Sequence, residues 1–591
     1  MHTLGINAAY HDDAACLVRD GEVIAAAEEE RFTHVKHGKR PVPFTTWQLP
    51  FHAIDDCLRE AGITMNEVDH VAYAFEPDLF AGSDPRLDSL FLQSVRNAPR
   101  QLADGAPHHL ADRFRGIRHD GPFDWHFVEH HLAHEASAFL AAPFEESAVL
   151  TMDGGGEHVT TSYGVFRGGA YRRLKQVELP HSLGLLYEDV TRYLGFLHSS
   201  DEYKVMALAS YGEPLHVEAF RRIVKVDDRG NYAVARADLA ELFGAPRRRG
   251  GPMEQRHFDI ARSLQEVLEE TVLRMTAWLH RESGLPNLCM AGGVALNCVM
   301  NARIRDEGPF ENVWVQPAAG DAGTALGAAL WIDRQERIRK GDPSRRWRME
   351  HAFLGPGYGD GEIEAFLRWT GVPFRKLGDV AGEAAALLAG DRILGWFQGR
   401  MEFGPRALGA RSILASPLDA GMQARLNEIK DREDFRPVAP VVLEEKAHEW
   451  FVPRRKPGTD PIFQSVTSFD DGKDGISRNG KRGLSPVSGF PAPFMLFVFD
   501  VRPDKAARIP AVRHVDGTAR VQTINRAQNP RYYDVVRAFG ERTGVPVLVN
   551  TSFNTRGEPI VCTPRDAVEC FWTSPLDALV IGSYLLEKRP R

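Results

Sequence analysis

The chain has 591 residues, of which 43% are hydrophobic and 26% charged, and its formal net charge is -8. Because one hydrophobic core rarely extends over so many residues, we expect at least two domains. The acidic balance excludes the basic surface on which nonspecific binding of DNA or RNA depends, so we expect no nucleic-acid partner.

Six cysteines are scattered along the chain, without a C-x-x-C pair and without the density of a disulfide-rich secreted domain. No apolar run reaches the length of about 18 residues that a membrane span needs. The amino terminus lacks a basic region followed by an apolar core. We therefore expect buried, reduced thiols, no membrane partner and a cytoplasmic location. The sequence leaves open whether the chain forms an oligomer.

The chain opens with three short apolar runs, TLGINAA, DAACLVRDG and EVIAAAEEE, which predict the strands of a β-meander. Asp20 and Gly21 supply the tight turn between two of these strands. A second opening of this kind covers residues 147–179, where an apolar strand reaches Asp153 before three glycines. Two meanders, each followed by helical sequence, predict an internally duplicated α/β nucleotide-binding domain.

A metal site is indicated by EHHLAHEASAFLAA, in which His130 and His134 are four residues apart on a predicted helix. Both imidazoles then project from one face, within reach of one ion. Asp153 and Asp321 are carboxylates placed after a strand and at a helix start, where ligands approach the backbone closely. Two histidines with one or two aspartates suit iron, manganese or zinc. Each residue alone is also compatible with a capping or turn role.

The stretch CMAGGVALNCVMNARI, residues 289–304, predicts a strand, a turn at Gly292 and Gly293, and a helix. This turn has no side chains, so a purine or ribose can lie against the backbone. The duplicated meander, Gly154 and Gly155 after the first strand of the second meander, and the run Gly-Asp-Ala-Gly from Gly320 complete this pattern. Together these features resemble the adenosine and phosphate loops of the superfamily of acetate and sugar kinases, Hsp70 and actin.

Residues 334–351, RQERIRKGDPSRRWRMEH, are typical of a linker or an exposed helix end because they are charged and broken by Gly-Asp-Pro. We place the domain boundary there, with one domain over residues 1–345 and another over residues 353–591. Helical spacing and the apolar runs RILGWF, GVPVLVNTS and DALVIGSYLL predict that the second domain is also α/β. Residues 453–492 are interpreted as a long loop, either a surface insertion or an active-site lid.

The run WFQGRMEFGPRALGARSIL places three arginines among small residues, where neither helix periodicity nor strand alternation explains them. Further positive and polar residues follow at predicted strand ends and glycine turns. Guanidinium groups match phosphate oxygens bidentately, so the cluster indicates phosphoanion binding, whereas a single arginine is more often only solvated. The cluster comprises Arg400, Arg406, Arg411, Lys430, Arg432, Arg436, Arg520, Asn550, Ser552 and Asn554.

Motifs over nearly the whole chain carry a family resemblance. The most specific is GRMEFGPRALGARSIL, and the others include EERFTHVKH, EHHLAHEASAF, MDGGGE, EYKVMALASYG, GDAGTALGAAL, KDREDFRPVAP and NTSFN. Taken in chain order, these motifs resemble the O-carbamoyltransferase family of antibiotic and nodulation-factor biosynthesis. The resemblance implies an amino-terminal domain similar to the tRNA threonylcarbamoyltransferase of the actin-like superfamily. It implies a carboxy-terminal domain similar to threonylcarbamoyladenylate synthase.

The resemblance also implies a reaction in two steps. Carbamoyl phosphate and ATP, the latter with Mg²⁺, would form carbamoyladenylate and pyrophosphate in the second domain. The carbamoyl group would then pass to a hydroxyl of a small natural-product acceptor in the first domain, and AMP would leave. An arginine-rich cradle suits the first step because joining two polyanions requires charge neutralisation.

Roles for individual residues follow from the same resemblance. His130, His134, Asp153 and Asp321 match the metal ligands of the transferase domain, where Fe²⁺ is the expected ion. His11 matches a histidine near the acceptor whose imidazole could take the hydroxyl proton, and Lys36 matches a position near the acceptor or the intermediate. We expect the adenylate at Gly154, Gly155, Gly292, Gly293 and Asn297. We expect carbamoyl phosphate and the ATP phosphates at Arg400, Arg406, Arg411, Lys430, Arg436, Arg520, Asn550 and Ser552. For Arg406 and Arg411, salt bridges that hold the loop in place are an alternative role.

Two positions depart from the family pattern. Ala410 stands where the arginine motif usually has asparagine, and HGKRPVPF replaces a shorter continuation after the first meander. The second departure suggests a different acceptor.

Three other functions are compatible with parts of the sequence. Threonylcarbamoyl transfer to tRNA is disfavoured by the acidic charge and by the fused second domain. A small-molecule kinase of the actin-like superfamily would release ADP and leaves the second domain unexplained. A non-catalytic ATP-dependent scaffold would leave the metal-site and arginine residues without a role.

Overall fold

The computed structural model describes residues 1–39, 49–80, 87, 90–104, 121–344, 347–453, 491–555 and 557–588. Apart from its ends, the loop predicted at residues 453–492 lies outside these ranges. Strands are numbered in chain order below.

The first sheet contains the opening meander and two further strands: β1 His2–Asn7, β2 Ala14–Arg19, β3 Glu22–Glu28, β4 His70–Tyr73 and β5 Asp124–Phe127. Their order across the sheet is β3-β2-β1-β4-β5. The three meander strands pair antiparallel, whereas β1, β4 and β5 run parallel. Asp20 and Gly21 have φ angles of 49° and 89°, the left-handed conformation that a tight hairpin turn requires.

The second sheet repeats this arrangement. Its strands are β6 Ser147–Met152, β7 Val159–Arg167, β8 Ala170–Glu178, β11 Asn287–Ala291 and β12 Asn312–Val315, and a separate hairpin pairs β9 Val224–Val226 with β10 Tyr232–Val234. The order β8-β7-β6-β11-β12 matches that of the first sheet, with the same antiparallel and parallel pairs. The predicted duplication of an α/β domain is confirmed.

Helices connect and cover the two sheets. Their bounds are Glu30–Thr33, Phe51–Ala61, Phe91–Arg96, Ala98–Asp104, His130–Phe139, Leu183–Tyr193, Glu202–Leu208, Val217–Ile223, Leu239–Phe243, Gln255–Ser283, Cys298–Glu307 and Ala322–Arg339. The last helix ends inside the segment predicted as a linker.

Two of these helices are equivalent elements of the two repeats, because His130–Phe139 follows β5 and Ala322–Arg339 follows β12. They pack against each other at backbone distance. A Cβ atom added at Gly327 would lie 1.8 Å from the carbonyl oxygen of Ala133, and one at Gly5 would lie 1.9 Å from that of Ala325. Any side chain at these glycines would therefore separate the helices from each other or from β1.

The remaining described residues form a second α/β region. Its strands are β13 Arg375–Lys376, β14 Leu394–Phe397, β15 Arg411–Ala415, β16 Ala439–Leu443, β17 Phe451–Val452, β18 Val498–Val501, β19 Thr518–Arg520, β20 Gln522–Ile524, β21 Val547–Ser552, β22 Ala578–Ile581 and β23 Tyr584–Glu587. Eight of them form one sheet in the order β13-β23-β22-β14-β15-β21-β16-β20, and β17, β18 and β19 form another. The helices are Asp360–Thr370, Val380–Ala389, Met422–Ile429, Ala447–Trp450, Pro530–Thr543 and Pro564–Thr573. The strands predicted from RILGWF, GVPVLVNTS and DALVIGSYLL are confirmed as β14, β21 and the pair β22 and β23.

The two α/β regions pack directly against each other. Arg31 donates a hydrogen bond of 3.0 Å to the carbonyl of Gly404, and Lys204 forms an ion pair of 3.0 Å with Glu433. All six cysteines are free and buried, as expected. Within the described residues, every helix is too short or too polar to cross a membrane.

Candidate active site

A cavity of about 490 Å³ lies between the two α/β regions and is lined by residues of both. One wall comes from the turn after β1, the turn after β6 and the segment around Tyr203. The opposite wall comes from the arginine-rich loop after β14, the segment before β16, and β19 with the turn that precedes it. The cavity therefore joins the predicted metal site to part of the predicted phosphate site.

The structure brings His130, His134, Asp153 and Asp321 together at one end of this cavity, which the two aspartates line and the two buried histidines do not. One ligand atom from each lies within 4.8 Å of the others. The Nε2 atoms of the two histidines are 3.1 Å apart, and each lies 3.6 Å from Oδ1 of Asp321. Oδ2 of Asp153 is 3.6 Å from Nε2 of His130. Ligands bound at about 2.1 Å to one ion are separated by comparable distances.

Regular structure holds these four side chains in place. His130 and His134 lie one turn apart on their helix, and both are 0% exposed. Asp153 follows the last residue of β6, and Asp321 is the N-cap position of helix Ala322–Arg339. A side chain of Asp321 that pointed at its own helix would cap it, but no such capping bond is formed. The carboxylate is therefore available to the cluster.

The donor set fits a divalent cation. Imidazole and carboxylate ligands bind first-row metals, and uncompensated carboxylates are unfavourable at a buried position. Burial opposes protonation of His130, but Asp321 and Asp153 raise its pKa well above the ordinary value. Burial and Asp321 oppose ionisation of Asp153, but His130 and His134 lower its pKa to about 2. The two buried carboxylates need positive charge beside them, and a bound divalent cation would supply it.

The two residues predicted to act near the acceptor also line the cavity. Nδ1 of His11 is 3.0 Å from Oδ2 of Asp12. Burial lowers the pKa of His11, but the carboxylates of Asp321 and Asp12 outweigh this effect and raise it to about 10. Nζ of Lys36 lies 5.9 Å from the ring centre of Tyr203. His11 therefore lies beside the carboxylates of the cluster, whereas Lys36 lies beside Tyr203, whose ring Arg436 of the opposite wall also contacts.

The predicted glycine loops divide into lining and supporting residues. Gly154, Gly155, Gly293 and Asn297 line the cavity. Asn297 also accepts a hydrogen bond from the Met300 amide and exchanges two with Gln265. Oδ1 of Asp153 accepts a bond of 2.7 Å from the Gly293 amide.

Gly292 does not line the cavity. Its φ of 90° is accessible to glycine, and an added Cβ would lie 2.1 Å from the carbonyl oxygen of Met152. Gly292 thus permits β6 and β11 to approach closely at their ends, which differs from the adenylate contact predicted for it.

The opposite wall is positively charged. Arg406, Arg436 and Arg520 line the cavity together with Arg432. The Nε atoms of Arg406 and Arg520 are buried and have no hydrogen-bond partner among the described residues. Burial, followed by repulsion from Arg520, lowers the pKa of Arg406 to about 9, and burial with Arg436 does the same for Arg432. Such desolvated cations with spare donors are suited to an anionic ligand.

Three residues predicted to bind phosphate lie elsewhere. Arg400 donates to the carbonyls of Ile24, Leu354 and Gly355. Arg411 is fully buried and donates to the carbonyls of Cys562, Gln398, Gly399, Ala410 and Pro356. Lys430 donates to Ser552 and Asn554. None of the three lines the cavity. Their positive charges satisfy backbone and side-chain oxygens, so the structure does not support direct phosphate contacts for them.

Asn550 and Ser552, at the end of β21, do line the cavity. The side-chain amide of Asn550 donates to the Ala407 carbonyl and to Gln522, and Ser552 donates to Asn554. Sequence reasoning missed Arg513 and His514, which line the same wall. Burial lowers the pKa of His514 to about 4, so this imidazole is neutral near neutral pH. The only local feature that could have pointed to these two residues is the turn His-Val-Asp-Gly after Arg513, and this turn does not match a phosphate-binding motif.

Comparisons with known proteins identify the family. The family model for the carbamoyltransferase N-terminus matches residues 2–330, and the model for the C-terminus matches residues 385–588. Nodulation protein NolNO of Sinorhizobium fredii is 40% identical to this chain, with 99% of this chain and 80% of that protein covered. Nodulation protein NolO of Bradyrhizobium diazoefficiens is 41% identical, with 78% and 79% covered. An uncharacterized protein of Synechocystis is 39% identical, with 99% and 97% covered.

Solved structures show more distant similarity. Component A of (R)-2-hydroxyglutaryl-CoA dehydratase from Acidaminococcus fermentans is 14% identical, has a TM-score of 0.31, and covers 57% of this chain and 98% of its own. HypF from T. kodakarensis has the same identity and TM-score, and covers 57% of this chain and 48% of its own. Both family models and the relatives near 40% identity show that the chain belongs to the carbamoyltransferase family and is a carbamoyltransferase.

Proposed function

We propose that the protein is an ATP-dependent O-carbamoyltransferase of specialised metabolism that acts in the cytoplasm. At the arginine wall, water hydrolyses carbamoyl phosphate to carbamate and inorganic phosphate, and a carbamate oxygen then displaces pyrophosphate from ATP to give carbamoyladenylate. The carbamoyl group then passes to a hydroxyl of a small natural product at the carboxylate and imidazole cluster, and AMP leaves. The relatives named nodulation proteins and the family resemblance of the motifs support this reading of the sequence.

One observation carries the proposal: a single cavity contains both walls. An acyl phosphate such as carbamoyladenylate is a reactive species that water destroys. A shared cavity allows it to form at one wall and react at the other without release. No separate binding event for the intermediate is then required.

The arginine wall suits the first step. Carbamoyl phosphate and ATP are both anions, and their reaction requires charge neutralisation that is already in place. Arg406 and Arg520 offer buried Nε donors that lack partners among the described residues. We propose that the guanidinium groups of these two arginines, with those of Arg432 and Arg436, orient the phosphate groups, and that Mg²⁺ enters with ATP.

The end of the cavity with the carboxylate and imidazole cluster suits the second step, transfer of the carbamoyl group. When bound by His130, His134, Asp153 and Asp321, a divalent ion, which we propose to be Fe²⁺, would supply Lewis-acid stabilisation of charge on the leaving phosphate. His11, held by Asp12 at 3.0 Å, faces the same end. A cation bound by Asp321 and Asp153 would offset the carboxylate charge that raises the pKa of His11, so that the neutral imidazole could take the proton of the acceptor hydroxyl. The Gly293 amide keeps Asp153 oriented toward the cluster.

The experiment is exchange of labelled pyrophosphate into ATP. Purified protein is incubated with ATP, Mg²⁺ and carbamoyl phosphate without acceptor, and acetyl phosphate replaces carbamoyl phosphate in the control. We expect exchange that depends on carbamoyl phosphate, and AMP when pooled hydroxylated metabolites are added. Release of ADP would instead establish a kinase. Absence of exchange and of AMP, with the acceptor pool present and the metal site filled, would overturn the proposal.

A further inference from the structure

A serine, a histidine and an aspartate form a hydrogen-bonded chain on the wall of the cavity. Oγ of Ser200 is 2.8 Å from Nε2 of His37, and Nδ1 of His37 is 2.7 Å from Oδ1 of Asp12. All three residues line the cavity, and Ser200 is 9% exposed. A nucleophile, a base within hydrogen-bond reach and a third group that orients the base are the arrangement by which activated serines are recognised.

The hydrogen bonds are compatible with one tautomer that activates the serine. The ionised carboxylate of Asp12 only accepts, so Nδ1 of His37 carries a hydrogen and donates it to Oδ1. When Nδ1 carries the only ring proton, Nε2 can accept a hydrogen bond from the hydroxyl of Ser200. This is the tautomer in which an imidazole removes a proton from a serine.

The backbone around the aspartate is fixed independently of the triad. The buried side-chain amide of Asn7 donates to the carbonyls of His11 and Asp12 at 2.9 and 3.0 Å. The Asp12 amide donates to the His37 carbonyl at 2.9 Å, and Asp12 has a φ of 55°. Ser199, next to the serine, also has a positive φ, 56°. Left-handed backbone at non-glycine residues costs free energy and concentrates at functional sites.

We propose that Ser200 is a nucleophile that accepts the carbamoyl group before it reaches the final acceptor. This inference rests on the proposed function, because carbamoyladenylate is the donor. Oγ of Ser200 forms a bond to the carbamoyl carbon, and the bond from that carbon to the phosphate oxygen of AMP breaks with its electron pair on the oxygen. His37 takes the proton from Oγ and passes it to the departing AMP phosphate, so that Nε2 is free to accept a proton again.

The second half of the exchange restores the enzyme. The acceptor hydroxyl forms a bond to the carbamoyl carbon and gives its proton to Nε2 of His37. The bond from the carbon to Oγ breaks, and Oγ of Ser200 is protonated again. The sum of both halves is transfer of a carbamoyl group from AMP to a hydroxyl, without any further reactant.

The test is to trap the carbamoylated serine. Protein is mixed with ATP, Mg²⁺ and carbamoyl phosphate without acceptor, quenched in acid and mapped by peptide mass spectrometry. We expect a mass gain of about 43 Da, a carbamoyl group in place of hydrogen, on the peptide that contains Ser200. The gain should be absent in Ser200→Ala and retained in Ser210→Ala, since Ser210 lines the same cavity without contacting His37 among the described residues. Ser200→Cys should restore a covalent adduct.

A second probe does not depend on the adenylate. A fluorophosphonate should label Ser200 in the wild-type protein, and His37→Ala should slow the labelling at least about 100-fold. If pyrophosphate exchange occurs but Ser200 stays unmodified, the inference is wrong and the proposed function stands. If exchange and AMP release are both absent with the acceptor pool present and the metal site filled, the proposed function is wrong. The fluorophosphonate then tests the serine alone: labelling of Ser200 establishes an activated serine, and no labelling overturns it.

Discussion

The two walls of the cavity are opposite in charge and are built in different ways. The carboxylate and imidazole wall takes its residues from the end of β6, one turn of a helix and the N-cap of another. The arginine wall takes Arg406 and Arg436 from loops and Arg520 from the end of a three-residue strand.

This difference explains which residue roles the sequence predicts. Helix periodicity fixes where a side chain points, so His130 and His134 could be paired from spacing alone. Asp153 and Asp321 stood at a strand end and a helix start, and the family resemblance joined them to the histidines. A loop allows neighbouring arginines to point in any direction. In one loop after β14, Arg406 faces the cavity, whereas Arg400 donates to the Ile24 carbonyl of the other α/β region and to two carbonyls of its own. Arg411, at the start of β15, donates to carbonyls of its own region.

Substitution of Asp321 tests the first wall and should have the largest effect. Asp321→Asn removes a carboxylate charge that lies beside both histidines. We therefore expect the affinity for the metal to fall more than about 100-fold, the metal content of the purified protein to fall with it, and carbamoyl transfer to be lost. Metal content is measured by inductively coupled plasma mass spectrometry. Asp333→Asn, on the same helix but paired with Arg337, is the matched control and should retain the metal. Equal metal content in both variants would contradict the assignment.

Substitution of Arg411 tests the structural role of a buried cation. Arg411→Ala leaves several buried carbonyls without a donor, so we expect the free energy of unfolding to fall by about 3 kcal/mol. Denaturant unfolding measures this change. If the variant is as stable as the wild type but defective in pyrophosphate exchange, the result would instead support the phosphate contact predicted for Arg411 from the sequence.

Arg406 should behave in the opposite way. Its loss removes a desolvated cation that Arg520 repels, so Arg406→Ala should unfold at the same or a higher temperature than the wild type. Pyrophosphate exchange should fall about 100-fold because donors to the phosphate groups are lost. Arg400→Ala should keep exchange within about threefold of the wild type. If Arg406→Ala and Arg400→Ala lose exchange equally, the assignment of a phosphate contact to Arg406 and a structural role to Arg400 is wrong.

The smallest effect concerns Glu202, an acid that lines the first wall beside Glu188. Burial, and then repulsion from Glu188, raises the pKa of Glu202 from 4.5 to about 7. The unfolded chain releases this proton at lower pH than the folded chain, so the stabilisation present below pH 4.5 is lost as pH rises through 7. Glu202→Gln should therefore raise the free energy of unfolding by about 1 kcal/mol at pH 8 and not at pH 5. Thermal melts at both pH values test this, with the exposed Glu22→Gln as control.

More of the fold than of the candidate site could be predicted from the sequence. Alternating apolar runs and glycine turns predicted both meanders, and the two sheets confirm the duplication strand by strand. The positions of His130 and His134 followed from helix spacing. The Ser200, His37 and Asp12 chain did not, because these residues are far apart in sequence and no local pattern relates them. Arg513 and His514 were missed for the same reason: their wall is assembled by contacts between the two α/β regions.

The glycine contact between the two equivalent helices has a consequence for motion. Gly327 lets helix Ala322–Arg339 touch the backbone of helix His130–Phe139, and the four ligands are shared between these helices and the end of β6. One repeat therefore contributes two histidines, and the other contributes two aspartates. If the repeats rotated apart about a hinge, imidazoles and carboxylates would separate, so bound metal would oppose domain opening and metal release would favour it.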